Sequence, residues 1–450
     1  MNITDLIQLA HSAPPSPLWE DVKLINAVSH ELAAEPLPIT DVDSLVDGYD
    51  RFPCPPVTAA VLTRDEAGLI GPCLSALVHD AGQVLVIDSG STDDTLLHAA
   101  AAHPQVRALE VPWSDDFAHH RNVALREIPD GWVMFVDADE TLYEEDAGHI
   151  RRALHALDYL LPDTDLSVCP VITDLDGTTY TENRRILRAA TSSRFRGRVH
   201  ERPYDPAGNI PPRAYVSARF SHRGYTPEEV ARKQKRSRNG HLLSLCREEE
   251  PANPKWIYYE IRDTVDRRTA GPEALKEHFA RLATAVEALE PSDGPDCVSE
   301  LRSDFWVLLC ELALGFGGTA EVTHWADRLE AVGGHIEATY FRSVMETSRL
   351  VSRLSVVADR ITGMEKWETP DNRLLLARLF ELQTTIALAC GRYELVVPAH
   401  RKATERGAGA GLNDDIEELG ELIDSLRLRT TSPAPPVPPA PRTPPARPRG

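Results

Sequence analysis

Four short apolar runs, separated by stretches of helix-forming composition, constrain this chain more than any other feature. The runs are 57–62 (VTAAVL), 84–87 (VLVI), 106–111 and 132–136. Helices are expected between them, over 67–78, 93–102 and 119–126. Strands alternating with helices specify a parallel α/β sheet. Apolar runs that do not alternate with polar residues fit strands covered on both faces. Open parallel sheets bind ligands beyond the carboxyl ends of their strands, and three polar clusters stand at such ends: 63–66 (TRDE), 88–95 (DSGSTDDT) and 137–140 (DADE).

Each cluster admits specific chemistry. Asp88 can accept hydrogen bonds from a nucleobase or ribose edge, or can simply sit in a capped turn. Ser91 with Asp94 three residues on is spaced as a capping box opening the next helix. Asp137 and Asp139 fall on one side of an extended chain. Paired carboxylates at a strand end suit a hard divalent cation that also bridges phosphates. Arg121, near a helix start in 116–122 (DFAHHRN), could hold phosphate bidentately or form a surface ion pair. No G-x-G-x-x-G run follows any of the strands, which disfavours a dinucleotide-binding dehydrogenase. A nucleotidyltransferase would want a Gly-rich, basic phosphate loop near the N-terminus, and none is present.

Composition removes further classes. With 48 Lys+Arg against 69 Asp+Glu, the net charge is −21, so a broad nucleic-acid-binding face is not expected. No apolar run is long enough to span a membrane, and the first residues lack the basic start and apolar stretch of a signal peptide. Seven cysteines without a C-x-x-C pair imply no disulfide framework or structural zinc, and a reducing cytoplasm.

The chain divides into four parts. Residues 1–52 form an N-terminal helical extension, with helices over 1–10 and 18–32 around the breaker run 13–17. Residues 53–226 form the α/β domain, turning more antiparallel over 167–188. Hairpin-turn chemistry lies at 174–177, and a further strand runs 214–220. Residues 227–428 are helical, with apolar spacing over 274–289 and 374–388 that suggests stacked helix pairs of tetratricopeptide type. Residues 429–450 are a Pro-rich tail, expected to be extended and unpacked.

The runs VIDSGSTDDT, DFAHHRN and VDADE, in that order, resemble family 2 glycosyltransferases of the GT-A fold. Further strings narrow the likeness: LVDGYD (45–50), NRR (183–185), GRVHERP (197–203), SHRGY (221–225), RN (238–239) and PANPKW (251–256). Together they are similar to the peptide S-glycosyltransferases of the glycocin class. That resemblance implies a GT-A-type, mixed, mainly parallel sheet flanked by helices, followed by an all-α helical-repeat domain.

It also implies an inverting transfer of a hexose, from UDP-glucose or a similar UDP-sugar, to a cysteine thiol of a ribosomal precursor peptide. A divalent metal, Mg²⁺ or Mn²⁺, would assist, and the C-terminal helices would serve homodimerisation and peptide binding. Asp88 and the main chain near Thr63 would hold the uracil, and Asp137 the ribose or sugar. Asp93 would orient the loop or the base, and Arg121 would bind the nucleotide-sugar. Asp139 would bind the metal with His222 as second ligand, an imidazole favouring manganese.

A thiol of pKa about 8.5 is mostly protonated at neutral pH, so a positioned base helps, although less than it helps an alcohol. Glu201 and His200 are the candidates for it. Arg194, Arg196 and Arg198 form a solvated strand face or meet the diphosphate, and Tyr225, Lys233 and Arg238 are further candidates for phosphate contact. LTRDE (62–66) departs from the family's usual pattern after the first strand, as does Glu140 after the D-x-D pair. Alternative readings are transfer to serine or to a lipid or saccharide acceptor, and an inactive GT-A fold serving as a binding scaffold.

Overall fold

The structure, a computed structural model, describes residues 1–39, 41–223, 235–251, 253–288, 297–408, 416 and 418. Twelve strands are present among them: β1 (Ile25–Val28), β2 (Val57–Thr63), β3 (Gln83–Asp88), β4 (Val106–Glu110), β5 (Trp132–Asp137), β6 (Glu140–Leu142), β7 (Ser167–Asp174), β8 (Thr179–Tyr180), β9 (Ile186–Arg188), β10 (Arg194–Arg196), β11 (Arg202–Tyr204) and β12 (Arg213–His222). The main sheet runs β1-β12-β7-β9-β5-β2-β3-β4, with β6 on β12 and β8 on β7. Its β5-β2-β3-β4 half is wholly parallel. The other half is mixed, because β9 runs antiparallel to both β5 and β7 while β7 and β12 run parallel.

The expected strands form because their side chains are wanted on both faces. Ala59, Val61, Val84, Val86, Met134 and Val136 enter one core layer, and Ala60, Leu85, Ile87, Val133 and Phe135 enter the other. Successive residues point to opposite faces, so continuous apolar runs fill two layers at once. The first layer is covered by Ile3–Ala10, Pro17–Val22, Ile70–Ser75 and His149–Leu160. The second lies under Phe117–Glu127. The hairpin at 174–177 forms as its chemistry requires, with Gly177 at φ +87 between β7 and β8.

One expectation fails at the N-terminus. The helix expected over 18–32 is broken into Pro17–Val22, β1 and His30–Ala34. Leu18, Trp19, Val22 and Ile25 have helical spacing, but the open edge of β12 offers backbone partners, and Ile25 pairs antiparallel with Val216. Residues 1–52 therefore supply an edge strand and core side chains such as Leu6, Trp19 and Tyr49, and are not simply a helical extension.

The chain forms two compact units, Met1–Leu329 and Glu330–Gly450. The first contains the sheet and the helices Lys235–Glu249, Pro254–Thr264, Pro272–Glu287 and Cys297–Phe316. In the second unit His335–Ile361, Arg373–Ala389 and Tyr393–Thr404 share a core of Ile361, Leu376, Phe380 and Ala403. The helices expected over 274–289 and 374–388 are thus present. The tail at 429–450, Tyr225 and Lys233 lie outside the described residues.

Candidate active site

The strand ends meet in a cleft of about 1520 Å³, lined among others by Thr63, Arg121, Asp137, Asp139, His200, Glu201 and His222. Register explains part of this: Thr63 stands beside Asp88 and Leu62 beside Asp137. Asp88 lines a smaller hollow of about 440 Å³ with Glu110 and Gly90, which shares Arg64, Ser89 and Trp113 with the main cleft. Asp93 is exposed and lines neither.

Two loops form one tied floor. Buried Asp88 accepts hydrogen bonds from the Gly90 and Ser91 amides at 3.0 and 2.9 Å and from the Ser91 hydroxyl. The Asp65 amide donates to Ser91 Oγ at 3.0 Å, and the Thr92 amide to Asp65 Oδ1 at 2.7 Å. Asp93 accepts from the Thr95 and Ala67 amides at 3.0 and 3.2 Å. Asp93 thus ties Ala67 to the start of the helix Thr95–Ala102. The capping box expected of Ser91 and Asp94 does not form, because Asp88 and Asp65 claim Ser91 and Asp94 makes no side-chain cap.

Behind the D-x-D pair lies a buried charge network. Arg185 donates to Asp137 Oδ2 at 2.8 Å and to Glu140 Oε1 at 2.7 Å. Arg121 donates to Glu201 at 2.6 Å and reaches Asp137 at 3.4 Å. Its guanidinium lies over the rings of Phe135 and Phe195, so Arg121 is a buried brace and not a surface ion pair. Desolvation pushes the Asp137 carboxyl up, but Arg185 and Arg121 outweigh it and hold it well below the usual carboxylate range. Burial, seconded by Asp137, raises Glu140 in spite of Arg185. Glu140 also accepts the Asp137 amide at 3.1 Å, which fixes the turn carrying both aspartates. Arg185 and Glu140 were given no site role from the sequence. The string NRR held the only signal for the arginine, since its carboxylate partners lie more than forty residues away.

His222 ends β12, opposite Asp174 on β7 and Glu140 on β6. Its Nδ1 lies 2.7 Å from Asp174, and its Nε2 lies 3.5 Å from Asp139. Both side chains are nearly buried at the cleft. An imidazole oriented from behind by a carboxylate is a common arrangement for a metal ligand. Among the described residues no group of three or more His, Cys, Asp or Glu could hold a metal alone. Asp139 and His222 are thus two donors facing one cleft, fewer than a hard divalent cation takes from all its ligands together.

His200 and Glu201, though adjacent, differ in setting. His200, at φ +52, stacks on Tyr259 at 4.0 Å. Its Nε2 lies 2.6 Å from Asp263, and Arg262 donates to its Nδ1 at 3.5 Å. Burial, helped by Arg262, lowers its pKa against the pull of Asp263. With both nitrogens engaged, it anchors the loop 197–201 to the helix Pro254–Thr264. Glu201 instead turns into the cleft with one oxygen on Arg121. Arg194 bonds the Thr191 and Ser193 carbonyls, Arg196 the Asp205 carbonyl, and Arg198 pairs with Glu249.

Residues 58–210 match the glycosyl transferase family 2 model. Over 366 residues the chain is 27% identical to the SPbeta prophage-derived glycosyltransferase SunS of Bacillus subtilis, spanning 80% of this chain and 83% of that protein. A shorter likeness, 30% over 145 residues, joins 32% of the chain to 34% of a TPR repeat-containing protein of Synechococcus elongatus. Among solved structures, S. aureus TarS 1–349 in complex with UDP is 16% identical, spanning 66% of this chain and 91% of that one at a TM-score of 0.32.

Proposed function

We propose, for a chain whose residues 58–210 match the glycosyl transferase family 2 model, the inverting transfer of a hexose, glucose, from a UDP-sugar to a cysteine thiol of a ribosomal precursor peptide. The observation that carries it is the placing of Asp137, Asp139 and His222 at the strand ends, in one cleft with Glu201. The relation to SunS along most of the chain supports the branch.

Each residue then has a task. The turn around Asp88 and the main chain near Thr63 hold the base, and Asp137, kept ionised by two arginines, accepts hydroxyls of the ribose or sugar. Asp139 and His222 hold Mg²⁺ or Mn²⁺. When bound, such a cation supplies Lewis acidity to the departing diphosphate. Glu201 takes the thiol proton while sulfur attacks the anomeric carbon from the side opposite the diphosphate. The carbon–oxygen bond breaks, and UDP leaves with its electron pair. His200 positions this loop and does not exchange protons itself.

Peptide binding and homodimerisation fall to the C-terminal helices in this reading. Six described cysteines are free thiols, which suits a cytoplasmic reaction. No described helix is long and apolar enough to cross a membrane.

The test is turnover across a panel of UDP-sugars, with cysteine and serine peptides, with Mg²⁺, Mn²⁺ or a chelator. Transfer to cysteine that needs metal and drops at least ~100-fold in Asp139→Asn is expected. Undiminished turnover in chelator would remove the metal from the mechanism. Transfer to serine or a saccharide alone would replace the acceptor, and no turnover with any donor would leave a binding scaffold.

A further inference from the structure

We propose that Arg238 is the residue that grips the donor's diphosphate. The inference rests on the nucleotide-sugar reading above and adds to it a binding residue outside the strand ends.

Arg238 lies on the helix Lys235–Glu249 and lines the cleft. Six other arginines line the cleft: Arg121, Arg185 and Arg262 are committed to Glu201, Glu140 and Asp263, Arg64 lies 4.0 Å from Asp65, and Arg184 and Arg202 have partners of their own. Arg238 forms no ion pair with any described residue. Its Nε is buried without a hydrogen-bond partner among them, and its guanidinium lies over the Phe117 ring at 5.2 Å. The next residue, Asn239, also lines the cleft and has a buried Oδ1 without a partner. Two such polar atoms on residues that line one cleft point to a polar occupant, since buried polar groups are otherwise nearly always satisfied.

The charges around Arg238 say which occupant. Burial pulls its pKa down, and Asp139, Glu66 and Asp137 act on it in the opposite sense. These acids are near enough to be felt but do not bond to it. Arg238 lines the same cleft as Asp137, Asp139 and His222, so an anion bound there can meet the guanidinium and a cation at Asp139 together. A diphosphate held by a divalent cation at Asp139 would present its oxygens there. The guanidinium fork suits phosphate geometry, and a charged hydrogen bond in a partly dry site is strong. A buried cation left without such a partner is a standing cost to the fold.

Calorimetric titration with UDP and with uridine, in the presence of Mn²⁺, tests this on the full chain. In Arg238→Met the affinity for UDP should fall ~10- to 100-fold, and that for uridine should stay within about twofold. Arg238→Lys, which keeps the charge but loses the fork, should fall between. Arg238→Gln repeats the comparison if the methionine variant does not fold. UDP affinity equal to wild type would overturn the proposal and show an arginine that only balances the acids. Equal losses for UDP and uridine would overturn it too, by showing that the residue shapes the cleft. A wild-type chain that binds neither would instead fail the donor reading.

Discussion

Removing Arg185 should damage the fold in a pH-dependent way. Its guanidinium bridges Asp137 and Glu140 at 2.8 and 2.7 Å. Asp137 keeps 36% of its side chain exposed, so water in the cleft can absorb much of its charge; Glu140, 2% exposed, has no such recourse. Arg185→Met leaves Glu140 as a buried carboxylate without its cation, a change that costs about 3–5 kcal/mol. Glu140 can reduce that cost by taking up a proton, because burial already raises its pKa above the ordinary value. The folded state then binds a proton that the unfolded chain releases above about pH 4.5. Stability of the variant therefore falls as pH rises, by at most ~1.4 kcal/mol per unit. Urea unfolding of the metal-free chain at pH 6 and pH 8 should show the larger deficit at pH 8. Adding Glu140→Gln, which keeps an acceptor for the Asp137 amide, should abolish that difference and recover part of the loss. A deficit under 1 kcal/mol, or one equal at both pH values, would refute the claim that Arg185 holds down a buried acid.

Three further outcomes follow from the geometry. Glu201→Gln should slow transfer to a serine peptide far more than to a cysteine peptide, with recovery of the cysteine reaction at high pH, because a thiol ionises unaided; equal losses without recovery would make Glu201 a binding residue. Gly131→Ala should destabilise by ~2–4 kcal/mol, since at φ +71 its Cβ would fall 2.1 Å from the Pro56 carbonyl oxygen; an unchanged melting curve would contradict that close approach. Burial lowers the pKa of His200, so wild type should lose stability as pH falls below about 6.5. His200→Gln should lose less over that range, whereas the contribution of Asp263, whose pKa is lowered, disappears only in stronger acid.

The parallel half of the sheet was readable because β2, β3 and β5 are short, mostly apolar runs ending at a polar residue, while β4, interrupted by Arg107 and more exposed, forms its edge. Register then set Thr63 beside Asp88 and Leu62 beside Asp137, which brings the strand ends together. Strand β1 was not readable. Leu18 to Ile25 satisfy helical spacing, and the partner that makes Ile25 extended is found only at Val216. The same distance effect hid the charge network, since no local pattern links Arg185 to Asp137 or Arg121 to Glu201. His200 and Glu201 looked equivalent in the string RVHE. They part only because the helix Pro254–Thr264 brings Asp263 and Arg262 to the imidazole.

The edge strand at the N-terminus also bears on how the chain is made. Ser29 receives its hydrogen bond from the Arg213 amide, 184 residues later. At a synthesis rate of about 5–20 residues per second, that partner emerges roughly 10–40 s after the serine. For that interval Ile25–Val28 has no strand to pair with, and Leu6, Trp19 and Val22 have no completed sheet to cover. Contacts of such long sequence separation slow folding. Production of this protein should thus be governed by what shields its first fifty residues from other nascent chains, and slower growth at lower temperature, or a chaperone that engages early, should raise the soluble yield.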